Sequence, residues 1–409
     1  MNMKKILSLS LLAAFSMATF ASRTLTVCVT NPSATSRADE PVVISLAPYG
    51  DVRSAVVTLA GQEIPCQLDD LNQDEAFDEL CFLADLGKKE KKEYTVTLFD
   101  QGEPRPYPAR VYAEMVLSNS KDKTLKKHQQ NNYIESITAR GDAAYTYNIQ
   151  HHHGVDFESE LNGIRIYFDA RQTLDLYGKY NKQLELKETQ FYTPKDLKEK
   201  GYGDDVLWVG QTFGLGAFRG WNGQQPTLVE PVRSRTQRII SYGPLRSIVE
   251  VVDRGWKADA DKAPVNMTLR YTQYAGHRDT DVDVFFNRDV SDYRFSTGII
   301  NVKGSEEFSD KKGLRACWGT DYPSGDTINW KRETVGLAVC IPAKNVVSEE
   351  PANKDNYAYV LRIDGNHLAY KVSYTSANES FGYHAADEWF SYLKAWKKEL
   401  EKPVKVTIR

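Results

Sequence analysis

Cysteine is scarce here and poorly placed for metal chemistry: five residues in 409, with no Cys-x-x-Cys pair, which argues against a thiolate zinc site. Cys28, Cys66 and Cys81 fall early and Cys317 and Cys340 late. In an oxidising compartment, one pair in each region would leave one thiol over. An excess of one charge is also lacking. Fifty-two Lys and Arg against 55 Asp and Glu leave a net charge of -3, with no general pull toward nucleic acid or anionic lipid. An anionic ligand must therefore be held by local arginines. The apolar run from Ile6 to Ala21 falls short of the roughly 18 apolar residues of a membrane span, and no later segment comes close. Preceded by MNMKK and ending in the small residues Thr19 and Ala21, it has the pattern of a secretory signal. Residues 1–21 are expected to be removed, leaving a periplasmic or secreted protein without a membrane anchor. Cys28 follows Leu25, Thr26 and Val27, so it lacks the small preceding residue of a lipoprotein cleavage site. There is no Gly-x-Ser-x-Gly elbow, no His-Glu-x-x-His, no local signature of a Cys nucleophile, no Walker lysine and no Rossmann spacing.

Short β-patterned runs are what the chain has in abundance. They include Thr24 to Thr30, Val42 to Ser45, Ala55 to Leu59, Glu93 to Leu98, Arg110 to Val116, Gly163 to Asp169, Ser247 to Asp253, Asn266 to Tyr274, Asp281 to Asn287, Gly298 to Val302, Val335 to Ile341, Tyr357 to Arg362 and Leu368 to Tyr374. Many strands with few helices predict a mainly β, sandwich architecture. Helices are expected around Pro194 to Glu199 and over Ala385 to Glu401, the latter carrying Trp389, Phe390, Leu393, Trp396 and Leu400 and halted by Pro403. The breaker-rich stretch Gln101 to Pro108 predicts a boundary. Residues 22–105 would form a small immunoglobulin-like β-sandwich and residues 106–409 one large antiparallel unit with a C-terminal helix. The Lys121 to Lys127 charge run reads as an exposed loop.

The densest chemistry lies in HHHGVDFESELNGIRIYFD, His151 to Asp169. Imidazoles titrate near neutrality and carboxylates move protons or hold cations, so the cluster invites acid/base chemistry or metal ligation. In Gly163 to Asp169 strict alternation sets Ile164, Ile166 and Phe168 against Arg165, Tyr167 and Asp169, predicting a half-buried strand with a polar outer face. Strand parity groups His151 with His153, and His152 with Asp156, Glu158 and Glu160, unless Gly154 marks a bulge. In GYGDDVLWVGQTFGLGAFRGW, Gly201 to Trp221, glycines permit close backbone approach. Trp208 and Trp221 would stack on pyranose faces while Asp204 or Asp205 binds hydroxyls. His277 with Arg278, Asp279, Asp281 and Asp283 forms a second polar knot whose members can line the same cleft. Asp70, Asn72 and Asp74, followed by Asp78 and Glu79, space oxygens as calcium loops do, though Glu75 stands where such loops carry glycine. Arg233, Arg235, Arg238 and Arg246, with Arg165, Arg171 and Arg219, supply cations that either bind an anion or pair with nearby acids.

The segments HHHGVDFESELNGIRIYFDARQTLDLYGK, GYGDDVLWVGQTFGLGAFRGW and RIISYGPLRSIVEVVDRGW resemble the domain of unknown function 4861 family of exported proteins from polysaccharide-degrading bacteria, over almost the whole mature chain. One departure is Asn72-Gln73-Asp74-Glu75, where members commonly have Asn-Gly-Asp-Gly. The resemblance implies a galactose-mutarotase-like β-supersandwich and a setting among enzymes that dismantle acidic polysaccharides, with lyase or dehydratase chemistry in some relatives. Joined to the residues, it predicts β-elimination on an acidic, uronate-containing oligosaccharide. Arg165 or Arg219 would neutralise the substrate carboxylate, His152 or His153 would be the base and Tyr167 the acid, with Glu158 or Asp156 orienting the imidazole. In a variant, His151, His153 and Asp156 or Glu158 hold a divalent metal; no other cofactor is called for. The alternatives are glycoside hydrolysis by paired carboxylates such as Glu158 and Asp204, and a non-catalytic periplasmic glycan-binding module.

Overall fold

The structure, a computed structural model, describes residues 22–118 and 132–409. The expected export signal and the Lys121 to Lys127 charge run lie outside them. Every run named above as a strand is one, with its ends shifted by a few residues, and the pairing within the sheets is antiparallel. A five-stranded sheet in the order Lys405–Ile408, Ser22–Thr30, Lys91–Phe99, Ser54–Leu59, Gln62–Ile64 packs with a three-stranded sheet of Arg37–Ser45, Glu79–Leu86 and Cys66–Asp69. Alternation drives this first sandwich: Tyr94, Val96 and Leu98 are buried while Glu93 and Thr95 are exposed. The last strand of the chain closes it, with Val27 opposite Ile408.

The remainder is a β-supersandwich. A nine-stranded sheet runs Glu306–Ser309, Leu314–Asp321, Glu333–Cys340, His367–Ser376, Asp279–Phe286, Val265–Tyr274, Arg246–Trp256, Ser234–Tyr242, Ser136–Arg140. Two five-stranded sheets share its core. Phe157, Ile164, Ile166, Leu174 and Leu176 come from one, and Ile299, Tyr357 and Tyr359 from the other, against Val249, Val251, Leu269, Val282 and Val284. The helix Ala386–Leu400 covers the opposite face of the large sheet, where Trp389, Leu393 and Trp396 pack on Leu314, Ala316 and Ala338. Close approach there requires glycine, since a Cβ at Gly336 would lie 2.8 Å from the Trp389 ring.

The two sandwiches meet through buried polar contacts. Gln67 donates to Ser241 Oγ at 2.8 Å, and Arg246 pairs with Asp69 at 2.7 Å and Glu79 at 2.8 Å. His277 donates from Nε2 to the Asp39 carbonyl at 2.9 Å.

All five cysteines are free thiols, which corrects the expected pairs. The register explains it. Cys66 lies opposite Phe82 and Cys81 opposite Gln67, so neighbouring Cys66 and Cys81 point to opposite faces. Cys317 and Cys340, opposite Leu337 and Leu314, do the same.

Candidate active site

One sheet carries nearly all the chemistry: Asp204–Asp205, Leu174–Gly178, Gly163–Tyr167, Gly154–Ser159 and Val111–Glu114, in that order. The register places Glu114 opposite Asp156, Asp156 opposite Arg165, and Arg165 opposite Asp175. Directly paired residues share a face, so three carboxylates and a guanidinium form a row across four strands. A second row holds Tyr112, Glu158, Gly163, Tyr177 and Asp205. This polar face is buried, so the strand expected to be half-buried is buried on both faces: Arg165 is 3% exposed and Tyr167 5%. The cover is the segment after Gly178, from which Leu186 and Phe191 pack on Tyr177. Gly154 is the first residue of its strand and marks no bulge. A Cβ there would sit 1.7 Å from the Ile166 carbonyl oxygen, so the pairing itself demands glycine.

Arg165 is the hub. Its Nε and Nη2 donate to Asp175 Oδ2 at 3.1 and 2.7 Å, Nη2 donates to Asp205 Oδ2 at 3.0 Å, and Nη1 donates to the Tyr192 hydroxyl at 2.6 Å. The Tyr167 hydroxyl donates to Asp175 Oδ2 at 2.6 Å and accepts from Arg165 at 3.2 Å. The guanidinium carbon lies 4.1 Å from the centre of the Phe191 ring. Burial, followed by the Asp175 charge, pushes the Tyr167 hydroxyl well above the usual tyrosine range, so it keeps its proton. Burial and then Asp175 push Asp205 well above the usual carboxylate range, with Arg165 opposing.

These groups open onto a cleft of about 210 Å³ lined by Tyr147, Arg165, Tyr167, Arg171, Asp175, Tyr192, Asp205, Trp208 and Trp330 among others. Arg171 lies 4.9 Å from the Tyr147 ring centre and 4.8 Å from that of Tyr167, paired with Asp169 at 2.5 Å. Trp208, 58% exposed, stands on the lip, where Leu207 to Gly210 divide this cleft from a neighbouring one of about 650 Å³.

The three histidines diverge. His153 has φ +72°, stacks on Tyr147 with 3.8 Å between ring centres, and lies 6.4 Å from the Tyr167 ring. Its Nδ1 is 2.9 Å from the Tyr147 carbonyl oxygen. A carbonyl only accepts, so Nδ1 carries hydrogen. Burial lowers its pKa to about 4. His152 is fully buried between Glu114, at 3.4 Å from Nε2, and Asp156, at 3.5 Å from Nδ1. The expected metal set of His151, His153 and Asp156 or Glu158 is therefore corrected. Only Glu114, His152 and Asp156 form a group that can hold an ion among the described residues, because the left-handed turn at His153 sends its ring the other way.

Several expected site residues serve elsewhere. Glu158 orients no imidazole; it pairs with Lys179 at 2.5 Å and accepts from the Glu185 and Leu186 amides. Asp204 pairs with Lys198 and accepts from the Thr193 amide at 3.2 Å, so Glu158 and Asp204 are not a catalytic pair. Arg219 props the segment behind the cleft, donating to the Gln211 and Thr212 carbonyls and Thr173 Oγ1. Trp221 lines a separate cavity with Lys257 and Arg294, and His277 another beside Arg37 and Tyr392. Arg235, Arg238 and Arg246 pair with Asp253, Glu250 and Asp69. The calcium-like loop is spent on itself: Asp70 accepts from the Gln73, Asp74 and Glu75 amides and Asp78 from that of Leu71. Asp175, Tyr192, Tyr147, Trp330 and Glu114 escaped the sequence reading. Asp175 alternates with Leu174 and Leu176, but its place beside Arg165 depends on strand register.

The structure is similar to that of an alpha-mannosidase from Enterococcus faecalis V583, with a TM-score of 0.50 and 9% identity, over 94% of this chain and 46% of that one. A protein in the glycosyl hydrolase family 38 from Enterococcus faecalis gives 0.48 and 10%, over 94% and 47%. The chain thus spans about half the length of these structures, and at such identity the likeness is one of fold. No curated protein matches the chain. A family model matches residues 29–406, and the chain belongs to that family, the domain of unknown function 4861.

Proposed function

We propose that the protein is an exported, carbohydrate-active enzyme that cleaves or dehydrates uronate-containing oligosaccharides by β-elimination in the Arg165 cleft. One observation carries the reading: Tyr167 keeps its hydroxyl proton, accepts from the Arg165 guanidinium at its hydroxyl and has the Arg171 guanidinium 4.8 Å from its ring centre, in a cleft walled by Tyr147, Tyr192, Trp208 and Trp330. Aromatic faces suit pyranose rings, and guanidinium groups suit a uronate carboxylate. The base removes the proton α to the carboxylate, a carbon–carbon double bond forms, the β carbon–oxygen bond breaks, and the acid protonates the departing oxygen. His153, whose Nδ1–H is spent on the Tyr147 carbonyl, offers Nε2 as base, and Tyr167 is the acid. His152, enclosed by two carboxylates, is set aside for this role.

A second reading is glycoside hydrolysis, which rests on Asp175 and Asp205 reaching one nitrogen of Arg165 at 2.7 and 3.0 Å. The products separate the two. Incubated with a panel of uronate oligosaccharides, the mature protein is expected to generate an ultraviolet-absorbing unsaturated product, with mass showing either chain cleavage or loss of water. Addition of water without absorbance would overturn elimination in favour of hydrolysis, and no change in any substrate would leave a binding module.

A further inference from the structure

We propose that Glu114, His152 and Asp156 hold a divalent transition-metal ion of the zinc class as a structural centre that fixes the His151–His153 turn to the sheet. The three side chains are each 1% exposed or less, and one ligand atom from each lies within 4.8 Å of the others. The His152 Nδ1 is 3.2 Å from the Gly154 carbonyl oxygen, so Nδ1 is the donor and Nε2 presents its lone pair. Among the described residues that nitrogen has no hydrogen-bond partner; it lies 3.4 Å from Glu114 Oε1, which has none either, and neither carboxylate oxygen of Asp156 has one. Three carboxylate oxygens and one imidazole nitrogen are thus buried without a partner in one cluster, where the nearest donor, His152 Nδ1–H, is 3.5 Å from Asp156 Oδ2 and bonds the Gly154 carbonyl instead. Each orphan carries a desolvation cost that no partner offsets, larger where the group is charged.

A shared cation is what satisfies such a set. Two ligands at roughly 2.0–2.1 Å from a tetrahedral ion stand about 3.4 Å apart, the separation of His152 and Glu114 here. One imidazole and two carboxylates favour a transition ion over calcium or magnesium. The Tyr112 hydroxyl donates to Glu114 Oε2 at 2.7 Å, the kind of outer bond that orients a metal-binding carboxylate. Because Asp156 faces Arg165 across the strand pair, the ion would sit one strand from the cleft.

The test is metal content and stability of the full chain. Elemental analysis after purification should find about one zinc-class ion per chain. Chelation should lower the melting midpoint, and zinc should restore it. His152→Ala and Glu114→Gln should lose the ion. If those variants fail to fold, titration of chelated wild-type protein with zinc decides the matter by itself. Absence of metal, no binding of added zinc and a midpoint indifferent to chelator would overturn the proposal and leave a buried proton shared among the three groups. Retention of the ion by a folded His152→Ala variant, or response to calcium alone, would overturn it too.

Discussion

At the scale of single residues, the neighbours of a charge decide its use. Arg165 and Arg219 are both buried arginines, yet Arg165 meets two carboxylates and three aromatic rings while Arg219 meets carbonyl oxygens. Burial accordingly lowers Arg219 to about 10. No periodicity distinguishes the two, since their partners come from other strands. His277 shows the same principle at the junction of the sandwiches. Burial pulls its pKa down, but the hydrogen bond and charge of Asp279 outweigh this and raise it overall, with Lys371 opposing. A raised folded-state pKa stabilises fully below the unfolded value of about 6.5 and is lost as pH rises through the folded value. The melting midpoint of His277→Gln should therefore fall furthest below wild type near about pH 6 and approach it as the pH rises through the raised folded-state value. A gap that widened with pH would contradict the assignment.

At the scale of elements, alternation was legible and register was not. Period two located Gly163–Tyr167 and its two faces, but which face met solvent depended on the cover supplied by Leu186 and Phe191, far away in pattern though near in space. Among the strands passed over, Ser234–Tyr242 and Leu314–Asp321 are rich in polar or small residues, so hydrophobic alternation signalled them weakly, and Leu174–Gly178 is only five residues long. The turn at His151 to His153 was visible as a histidine run, but its handedness was not, and φ +72° at His153 is what separates that ring from His152. Gly154→Ala tests this account of the strand start. With a Cβ 1.7 Å from a backbone oxygen, the pairing of Gly154 with Tyr167 must open, and stability should fall by about 3 kcal/mol or more in denaturant titration. An unchanged midpoint would show that the strand tolerates a side chain there.

At the scale of the whole molecule, the breaker-rich stretch and the C-terminal helix were plain in the sequence, but the return of Lys405–Ile408 to pair with Ser22–Thr30 was not, because long-range pairing leaves no local mark. Removing residues 403–409 would expose the edge of the first sandwich. We expect the midpoint to fall by an amount equivalent to about 1–2 kcal/mol, with faster aggregation; identical behaviour would argue that the strand contributes nothing. The cleft between the large sandwich's polar sheet and its covering segments is where Tyr167→Phe acts. The substitution removes one hydroxyl and keeps the ring. In the unsaturated-product assay, kcat should drop on the order of 10²–10⁴-fold with KM little changed and the protein still folded. Turnover equal to wild type would contradict the account.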